Sequence, residues 1–363
     1  ASQANFIQYS GIPIWTTAAG NIGSVLEGAA ASFQVTATEG TDTIEYAVTT
    51  GTLPTGLSLA TATGAITGTA PAVSADTTTT FSITATDDEN QTSAVRSFNI
   101  TVQNDAPSNH FNAVLYNGNG GTQSITSLNF EPGLVWLKPR SQADNHNLFD
   151  TIRGVQKQLI SNNSSGSSSQ PNTLTAFNSD GFSIGPDGNI NTSGQDYVSW
   201  NFKAGGAAVA NSSGSTASEV SVNDTLGFSI VKYSGVSSLN PGHGLDAAPD
   251  FIIAKGYSAA EDWYVYNSIS GTGKYLSFTR NDQGAGTGRD GIQTRAASFS
   301  TVSSTSFTNS VTGSNLSYIA YCFTNKTGFN KTGSYTGNGG ENIVETGFEP
   351  AFLLTKSVST TGG

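Results

Sequence analysis

Apolar and polar residues alternate along much of this chain in short stretches. Residues 33–37, 81–85 and 98–102 read FQVTA, FSITA and FNITV. Gly, Asn, Asp and Pro bound these stretches, and successive side chains on a strand point to opposite faces of a sheet. Strands with one face toward a core are typical of sandwiches and barrels. Because helical periodicity is nearly absent, the pattern predicts an all-β protein.

The N-terminal third of the chain is predicted to be a short arm followed by one domain. Residues 1–10 have little to pack with and form the arm, and residues 11–105 form the domain. Its centre carries two runs, LPTGLSL at 53–59 and TGAITGT at 63–69. This pair of runs resembles the Ig-like, cadherin-related modules of bacterial surface and phage proteins. The resemblance implies an Ig-like β-sandwich, which has about 100 residues.

After residue 105 the sequence repeats itself. A Tyr-X-Gly run is followed each time by a proline and an apolar strand that ends in lysine. These strands are LVWLK at 134–138, FIIAK at 251–255 and FLLTK at 352–356. The spacing predicts two complete copies and an incomplete third copy, at residues 106–206, 207–328 and 329–363. Because the third copy lacks the later strands of its sandwich, we expect the natural protein to continue beyond Gly363.

The repeated part of the chain resembles a known family. The runs GFSIVKYSG, GHGLDAAPDFIIAK and DWYVYNS begin at residues 227, 242 and 262. They look like a tandem module of virion and tail-fibre-like proteins of marine bacteriophages. The resemblance implies jelly-roll, concanavalin A-like β-sandwich repeats in a phage appendage. The expected fold is therefore all-β, an N-terminal Ig-like β-sandwich followed by tandem sandwiches of this type.

Composition narrows the classes of function. The chain has 15 basic and 26 acidic residues, so its net charge is 15 − 26 = −11. Nucleic-acid binding needs a basic face, which this balance disfavours. No apolar run reaches the roughly 18–20 residues of a membrane span, so no membrane insertion is expected. One cysteine and three histidines exclude a disulfide framework and a cysteine zinc site.

The candidate motifs for nucleotide binding and catalysis lack residues or geometry that they need, and we expect no enzyme activity. Residues 284–289 read GAGTGR and carry Arg289 where a dinucleotide-binding loop needs its last glycine. Three scattered histidines give no base paired with a nucleophile. Glu261 and Asp262 are adjacent, so on a strand they point to opposite faces and are poorly placed for a glycosidase.

Calcium is the one cofactor that the sequence suggests. Asp87, Glu89, Asn104 and Asp105 lie near the ends of predicted strands, with Glu27 after the first strand. Oxygen-rich clusters suit Ca²⁺, which takes six to eight oxygen ligands. The arrangement resembles the interdomain calcium residues of cadherins. It departs from them because Val102 stands where an aspartate ligand is expected, and acidic turns without a metal are the alternative.

An aromatic run provides a candidate surface for a ligand or partner. Trp263, Tyr264 and Tyr266 span both faces of one strand, so one aromatic set is expected to be partly exposed. Exposed rings could stack on sugars, and the alternative is contact with a neighbouring copy or another subunit. His146 is the matching position in the first copy.

Two groups of charged residues have structural explanations. Asp150 and Arg153 are expected to form a surface or loop-bracing salt bridge, worth at most about 1 kcal/mol. The second copy carries Asn267 and Ser270 at these positions. The lysines that end the three apolar strands are expected to extend from a sheet edge into solvent.

The leading expectation is a structural protein of a phage virion, on the particle exterior after assembly in the host cytoplasm. A tail fibre or similar appendage that contributes to host-surface attachment fits best. Expected partners are other virion proteins, further copies in a homo-oligomer such as a trimer, and a host-surface glycan. A capsid or neck decoration protein and a bacterial surface adhesin are the alternatives.

Overall fold

The computed structural model describes residues 11–38, 43–278, 293–294, 298–309 and 315–356. Within them the chain is all-β, as predicted, with a single short 3-10 helix at Pro107–Asn109. The chain divides into two compact units, Ala1–Ala106 and Pro107–Gly363. The predicted arm at 1–10 and the glycine run at 284–289 lie outside the described residues. No helix in the described ranges is long and apolar enough to cross a membrane.

The first unit is a β-sandwich. Its strands within the described residues are β1 Ile14–Trp15, β2 Gly20–Leu26, β3 Ala30–Gln34, β4 Ala37–Thr38, β5 Ile44–Gly51, β6 Leu57–Leu59, β7 Ala65–Thr69, β8 Thr77–Asp87 and β9 Arg96–Gln103. One sheet has the order β2-β9-β8-β5 and the other β3-β7-β6, with β1 and β4 as a separate pair. Phe81, Ile83 and Ala85 are buried whereas Ser82 and Thr84 are half-buried, which follows the alternation in the sequence.

Two glycines explain the paired runs of the first unit. Gly56 and Gly68 have positive φ angles of 85° and 141°. A Cβ atom on Gly68 would lie 2.0 Å from the carbonyl oxygen of Gly56, and one on Gly56 would lie 2.3 Å from that of Thr69. Only glycine fits this close approach. The two runs therefore form the pair β6–β7, in which Leu57 faces Gly68.

The first copy of the repeat has one large and one small sheet. Its strands are β10 Phe111–Asn117, β11 Gln123–Ile125, β12 Leu134–Pro139, β13 Asn147–Asp150, β14 Lys157–Ile160, β15 Ser168–Ser169, β16 Leu174–Asn178, β17 Gly181–Ile184 and β18 Asp196–Phe202. The large sheet has the order β10-β18-β12-β13-β14-β15 and the small sheet β11-β17-β16.

The second copy follows the same order and adds two edge strands. Its strands are β19 Val209–Asn211, β20 Ser218–Asn223, β21 Phe228–Gly235, β22 Phe251–Gly256, β23 Trp263–Asn267, β24 Lys274–Ser277, β25 Gln293–Thr294, β26 Ser298–Val302, β27 Phe307–Asn309 and β28 Leu316–Phe323. The large sheet has the order β19-β20-β21-β28-β22-β23-β24-β25. From β21 onward this is the strand order of the first copy.

Three apolar clusters hold the second unit together. Two of them lie inside the sandwiches, one around Phe149 and Tyr197 in the first copy and one around Tyr233 and Phe307 in the second. The third cluster, which we call the shared core, joins the outer faces of the two large sheets. Its buried members include Leu134, Trp136, Leu148 and Phe202 from the first copy and Phe228, Ile253, Trp263 and Tyr321 from the second. Both large sheets are therefore covered on both faces.

The third copy does not form the strand that its sequence predicts. Residues 352–356 are not in a strand, and the described residues from 324 to 356 contain none. The physical reason is that no strand of the described chain pairs with this segment. Phe352 instead packs against the first copy, with its ring centroid 5.5 Å from that of Trp200 and 6.1 Å from that of Trp136. The copy boundaries at 206/207 and 328/329 stay predictions.

Candidate functional site

Three of the predicted calcium residues meet at one end of the first unit. The carboxylate of Glu27 accepts hydrogen bonds from the backbone N–H of Val73 at 2.7 Å and of Asp105 at 3.0 Å. It also accepts one from the side-chain amide of Asn104 at 3.1 Å. Asp76 accepts from the backbone N–H of Asn104 at 2.9 Å. Both oxygens of Glu27 are therefore directed at N–H donors, which brace the loop after β9.

The other two predicted ligands lie at the opposite end of the same sheet. β8 begins at Thr77, next to Val102 of β9, and ends at Asp87. At about 3.3 Å per residue its 11 residues span roughly 30 Å. Asp87 accepts a bond from the backbone N–H of Gln91 at 2.7 Å, and Glu89 accepts one from the Gln91 side chain at 3.1 Å.

The predicted calcium set does not fit a metal ion. A Ca²⁺ ion needs its oxygen ligands within 2.3–2.6 Å, but the five residues form two groups a strand length apart. Among the described residues no group of three or more His, Cys, Asp or Glu side chains is placed to hold a metal. The interaction of Glu27 with backbone N–H groups explains its position without a cation.

The aromatic run is buried, which differs from the expected exposed surface. Trp263 is 0% exposed, Tyr264 5% and Tyr266 6%. Trp263 lies in the shared core, where its indole N–H donates to the carbonyl oxygens of Ile160 and Asn163 of the first copy, both at 3.1 Å. Tyr264 and Tyr266 lie in the second copy's own core. Both faces of β23 are covered, so none of the three rings is free to stack on a sugar.

His146 is half-buried beside Trp136 of the shared core. Its Nδ1 accepts a hydrogen bond from the indole N–H of Trp136 at 3.1 Å, and its ring stacks on Trp200 with centroids 6.3 Å apart. Burial, helped by the positive charge of Lys138, lowers the pKa of His146 below its ordinary value. The neutral ring is the form that can accept from Trp136.

Asp150 and Arg153 form a buried pair that braces its loop and does not lie on the surface. Their side chains are 0% and 2% exposed, and the Arg153 Nε lies 2.5 Å from Asp150 Oδ2. Tyr321 of the second copy donates its hydroxyl to the same oxygen at 2.8 Å. Burial alone would lower the pKa of Arg153, but Asp150 and Tyr321 raise it above its ordinary value. Asp150 and Leu148 are two residues apart on β13, so their side chains point to the same face, and both lie at the shared interface.

Lys255 is also buried at this interface and does not extend from a sheet edge. Its Nζ donates to the carbonyl oxygens of Gly256 and Glu261 at 2.8 Å and of Ser164 at 3.2 Å. Burial lowers its pKa to about 8. Three acceptors use all three protons of the ammonium group, and Ser164 belongs to the first copy. The polar loop at 161–170 therefore fastens the first copy to the second.

A cleft opens where the two copies meet, beside the buried pair. We call it the intercopy cleft, and its volume is about 360 Å³. Both copies line it, with Ile152, Arg153, Lys157, Ser167 and Ser169 from the first and Lys232, Tyr257 and Ser258 from the second. Sequence reasoning did not find this site, because its residues come from segments far apart in the chain. One feature of the sequence could have indicated this site. Charged residues are scarce in the chain, so each basic residue close to an apolar strand is unusual.

Solved structures with weak similarity include protocadherin gamma B7 extracellular cadherin domains 1–4, with 11% identity, a TM-score of 0.22 and coverage of 61% of this chain and 45% of that one. The D00-D0 domain of intimin has 12% identity, a TM-score of 0.23 and coverage of 61% and 91%. TM-scores this low do not support a conclusion about the fold. This chain spans less than half of the protocadherin.

Family models give the firmer result. No curated protein matches the chain. Residues 13–103 match the Ig domain family He_PIG, which confirms the predicted Ig-like module. A second family model matches residues 106–363, more than two thirds of the chain. The chain therefore belongs to the family described as Domain of unknown function (DUF7483).

Proposed function

We propose that this chain is a non-enzymatic structural protein of a bacteriophage virion, a tail fibre or similar appendage that contributes to host attachment. The observation that carries the proposal is the shared core, through which two sandwich copies form one compact unit. A binding appendage needs folded modules held at fixed positions, because linked weak sites gain avidity only when they can engage together.

The interface between the copies supports a long-lived exterior protein. It combines buried aromatic residues with polar contacts that cross between copies, such as Tyr321 to Asp150 and Lys255 to Ser164. Interactions of this kind raise the barrier to unfolding when they form late in folding. A particle exposed outside cells benefits from that kinetic stability.

The phage assignment rests on the resemblance of the repeats to tail-fibre-like modules, and the finer fold assignment to concanavalin A-like jelly rolls rests on it too. Each copy has a large sheet facing a smaller one, which suits this type of sandwich. We further propose assembly as a homo-oligomer, for which a trimer is the family expectation, with other virion proteins as neighbours. A host-surface glycan is the proposed ligand.

Immunoelectron microscopy tests the proposal directly. Antibodies raised against residues 107–363 are applied to purified particles of the phage that encodes this chain, and the same antibodies preadsorbed with the purified chain serve as the control. The expected result is label on the tail appendages that the preadsorbed antibodies do not give. Label on the head would overturn the tail-fibre assignment in favour of a decoration protein, and particles without label would overturn the virion assignment.

A further inference from the structure

The intercopy cleft has a composition unlike the rest of the chain. Only 15 of 363 residues are basic, yet Arg153, Lys157 and Lys232 all line the cleft, and no acidic residue of the described chain does. Arg153 and Lys232 are paired with Asp150 and Glu219, so the charge that faces a ligand comes mainly from Lys157 and from the partly exposed Lys232. Concave sites lined by one sign of charge attract ligands of the opposite sign.

The two lysines keep donors available for a ligand. Lys157 Nζ donates to Ser169 Oγ at 2.6 Å, and Lys232 Nζ donates to Glu219 at 2.9 Å. An ammonium group has three N–H donors, so each lysine can donate further. The Lys232–Glu219 pair is partly exposed, with 35% and 54% of the two side chains accessible, so solvent screens it. Among the described residues, no carboxylate forms a salt bridge with Lys157.

Arg153 lines the cleft and holds neighbouring lining residues in place through hydrogen bonds. Its guanidinium is neutralised by Asp150 and also donates to the carbonyl oxygen of Lys157 at 2.8 Å and to Ser167 Oγ at 3.2 Å. Ser167 in turn donates its backbone N–H to the carbonyl oxygen of Tyr257 at 2.7 Å. The two walls are therefore joined before any ligand binds, which lowers the cost of ordering the site.

The polar groups of the cleft match a sugar better than a simple anion. Ser167 and Ser169 present hydroxyl groups, and the half-buried Tyr257 provides a ring face and a phenol near Lys232. Hydroxyls bond sugar hydroxyls, and aromatic faces pack against the apolar face of a sugar ring. A volume of about 360 Å³ lies within the range of small-ligand pockets and holds a short oligosaccharide segment.

From this chemistry we propose that the intercopy cleft binds an anionic sugar residue, carrying a carboxylate or sulfate group, within an acidic polysaccharide. Lys157 and Lys232 bind the anionic group, the serine hydroxyls bind sugar hydroxyls, and Tyr257 packs against the ring. This inference deepens the proposed attachment function and rests on it for its biological meaning. It assigns the ligand to a place where both copies contribute, so neither copy alone forms the site.

Direct binding of the full chain to defined polysaccharides tests the proposal. The probes are alginate oligosaccharides, dextran sulfate and neutral dextran, measured by titration calorimetry at about 0.05 and 0.15 M NaCl to follow screening. We expect alginate, dextran sulfate or both to bind more tightly than neutral dextran. Alginate alone assigns a carboxylate, and dextran sulfate alone assigns a sulfate. Equal binding of neutral dextran, or no binding of either anionic probe, would overturn the proposal.

Substitutions of the two lysines locate the site. Lys157→Gln and Lys232→Gln together are expected to weaken binding about tenfold or more, since each removes a charged hydrogen bond. Lys274→Gln is the matched control, because Lys274 begins β24 as Lys157 begins β14, is exposed and does not line the cleft. We expect less than a twofold effect from the control, with unchanged melting temperatures for all variants. An equal loss in the control would show nonspecific attraction and overturn the assignment to the cleft.

The outcomes separate this inference from the proposed function. Antibody label on the tail without polysaccharide binding would support the tail-appendage assignment and refute the proposed binding site in the intercopy cleft. Antibody label on the head together with lysine-dependent polysaccharide binding would support the binding site in the cleft and refute the tail-fibre assignment.

Discussion

The first and second copies of the repeat share their strand order, yet the residues on the outer faces of their large sheets differ. The inner faces of both copies bury aromatic and aliphatic residues in the same way. On the outer faces the first copy carries Asp150 and Arg153, whereas the second carries Asn267 and Ser270. The copies therefore differ at these two positions, and in the first copy both residues lie where the copies meet, in contact with Tyr321 or with segments beside it.

The turn after β13 shows which interaction the two copies share and which interactions occur in the first copy alone. In the first copy the Asp150 side chain accepts the backbone N–H of Arg153 at 2.8 Å, and in the second the Asn267 side chain accepts that of Ser270 at 2.8 Å. The turn needs only a side-chain oxygen, so aspartate and asparagine are equivalent there. The charge pair and its bond to Tyr321 are additions that belong to the interface.

Removal of the largest interface side chain should give the largest effect. Trp263→Ala is expected to lower the free energy of unfolding by about 3–5 kcal/mol, because it opens a cavity in the shared core and removes the indole N–H bonds. Urea titrations followed by circular dichroism measure this loss. The counterpart substitution His146→Ala should cost only about 1 kcal/mol, since it removes one hydrogen bond at a half-buried position. If both substitutions lowered the free energy of unfolding by the same amount, the proposed difference between the two copies would be wrong.

The charge pair provides the second test. Asp150→Asn keeps the turn but leaves Arg153 buried without its counterion, and we expect a loss of about 3 kcal/mol. Asp150→Asn combined with Arg153→Ser reproduces the second copy and should recover part of this loss, because no unpaired charge remains. Asn267→Ala is the control for the turn alone, with an expected cost of about 1 kcal/mol. A double variant less stable than Asp150→Asn would contradict this account.

Acidification should destabilise both copies, through the half-buried His146 in the first and the buried His243 in the second. Burial lowers the pKa of His146 and of His243, although Asp224 and a bond to Ser303 act in the opposite direction at His243. As the pH falls below the ordinary value of 6.5, the unfolded chain takes up these protons before the folded chain does. Stability is therefore full above that pH and declines below it. Urea titrations at about pH 7.5 and 5.5 should show the decline.

Substitution of both histidines provides the control for that pH dependence. The variant carrying His146→Gln and His243→Gln should lose less stability between the two pH values than the wild-type chain. A decline of the same size in the variant would assign the effect to carboxylates instead.

The smallest effect is expected in the first unit, outside both copies. Glu27→Gln replaces a carboxylate oxygen by an amide donor among N–H groups, which should cost about 1 kcal/mol in the first unit and nothing in the second. Calcium at millimolar concentration should leave the melting temperature of the wild type unchanged, because the five predicted ligands do not converge. A calcium-dependent rise in melting temperature would contradict this structural explanation of Glu27.

Sequence patterns predicted the strands and the repeat because these depend on local alternation and on similarity between segments. The alternation at 81–85 and the glycines of 53–69 have local causes, and the structure agrees with both. The shared core could not be predicted in this way. Leu134 to Leu137 are apolar at every position and buried at every position, which indicates two covered faces but not what covers the second one.

The candidate site was harder to predict for the same reason. Asp150 and Tyr321 are 171 positions apart in the chain, and only the contact between the sheets brings them together. The expected partial exposure of one aromatic set on β23 is wrong, and for Trp263 the alternative of contact with the neighbouring copy is what the structure shows. Lys157 and Lys232 gain a common function only through that contact, so no spacing in the sequence could indicate the cleft.

Hydrogen exchange of the full chain, resolved by mass spectrometry, tests the shared core most directly. Amides of β12 and β18 report on the first copy, and amides of β22 and β28 report on the second. If one core joins the copies, Trp263→Ala should lower the protection of all four strands by the same free energy and leave β8 and β9 of the first unit unchanged. Loss of protection confined to β22 and β28 would contradict the account.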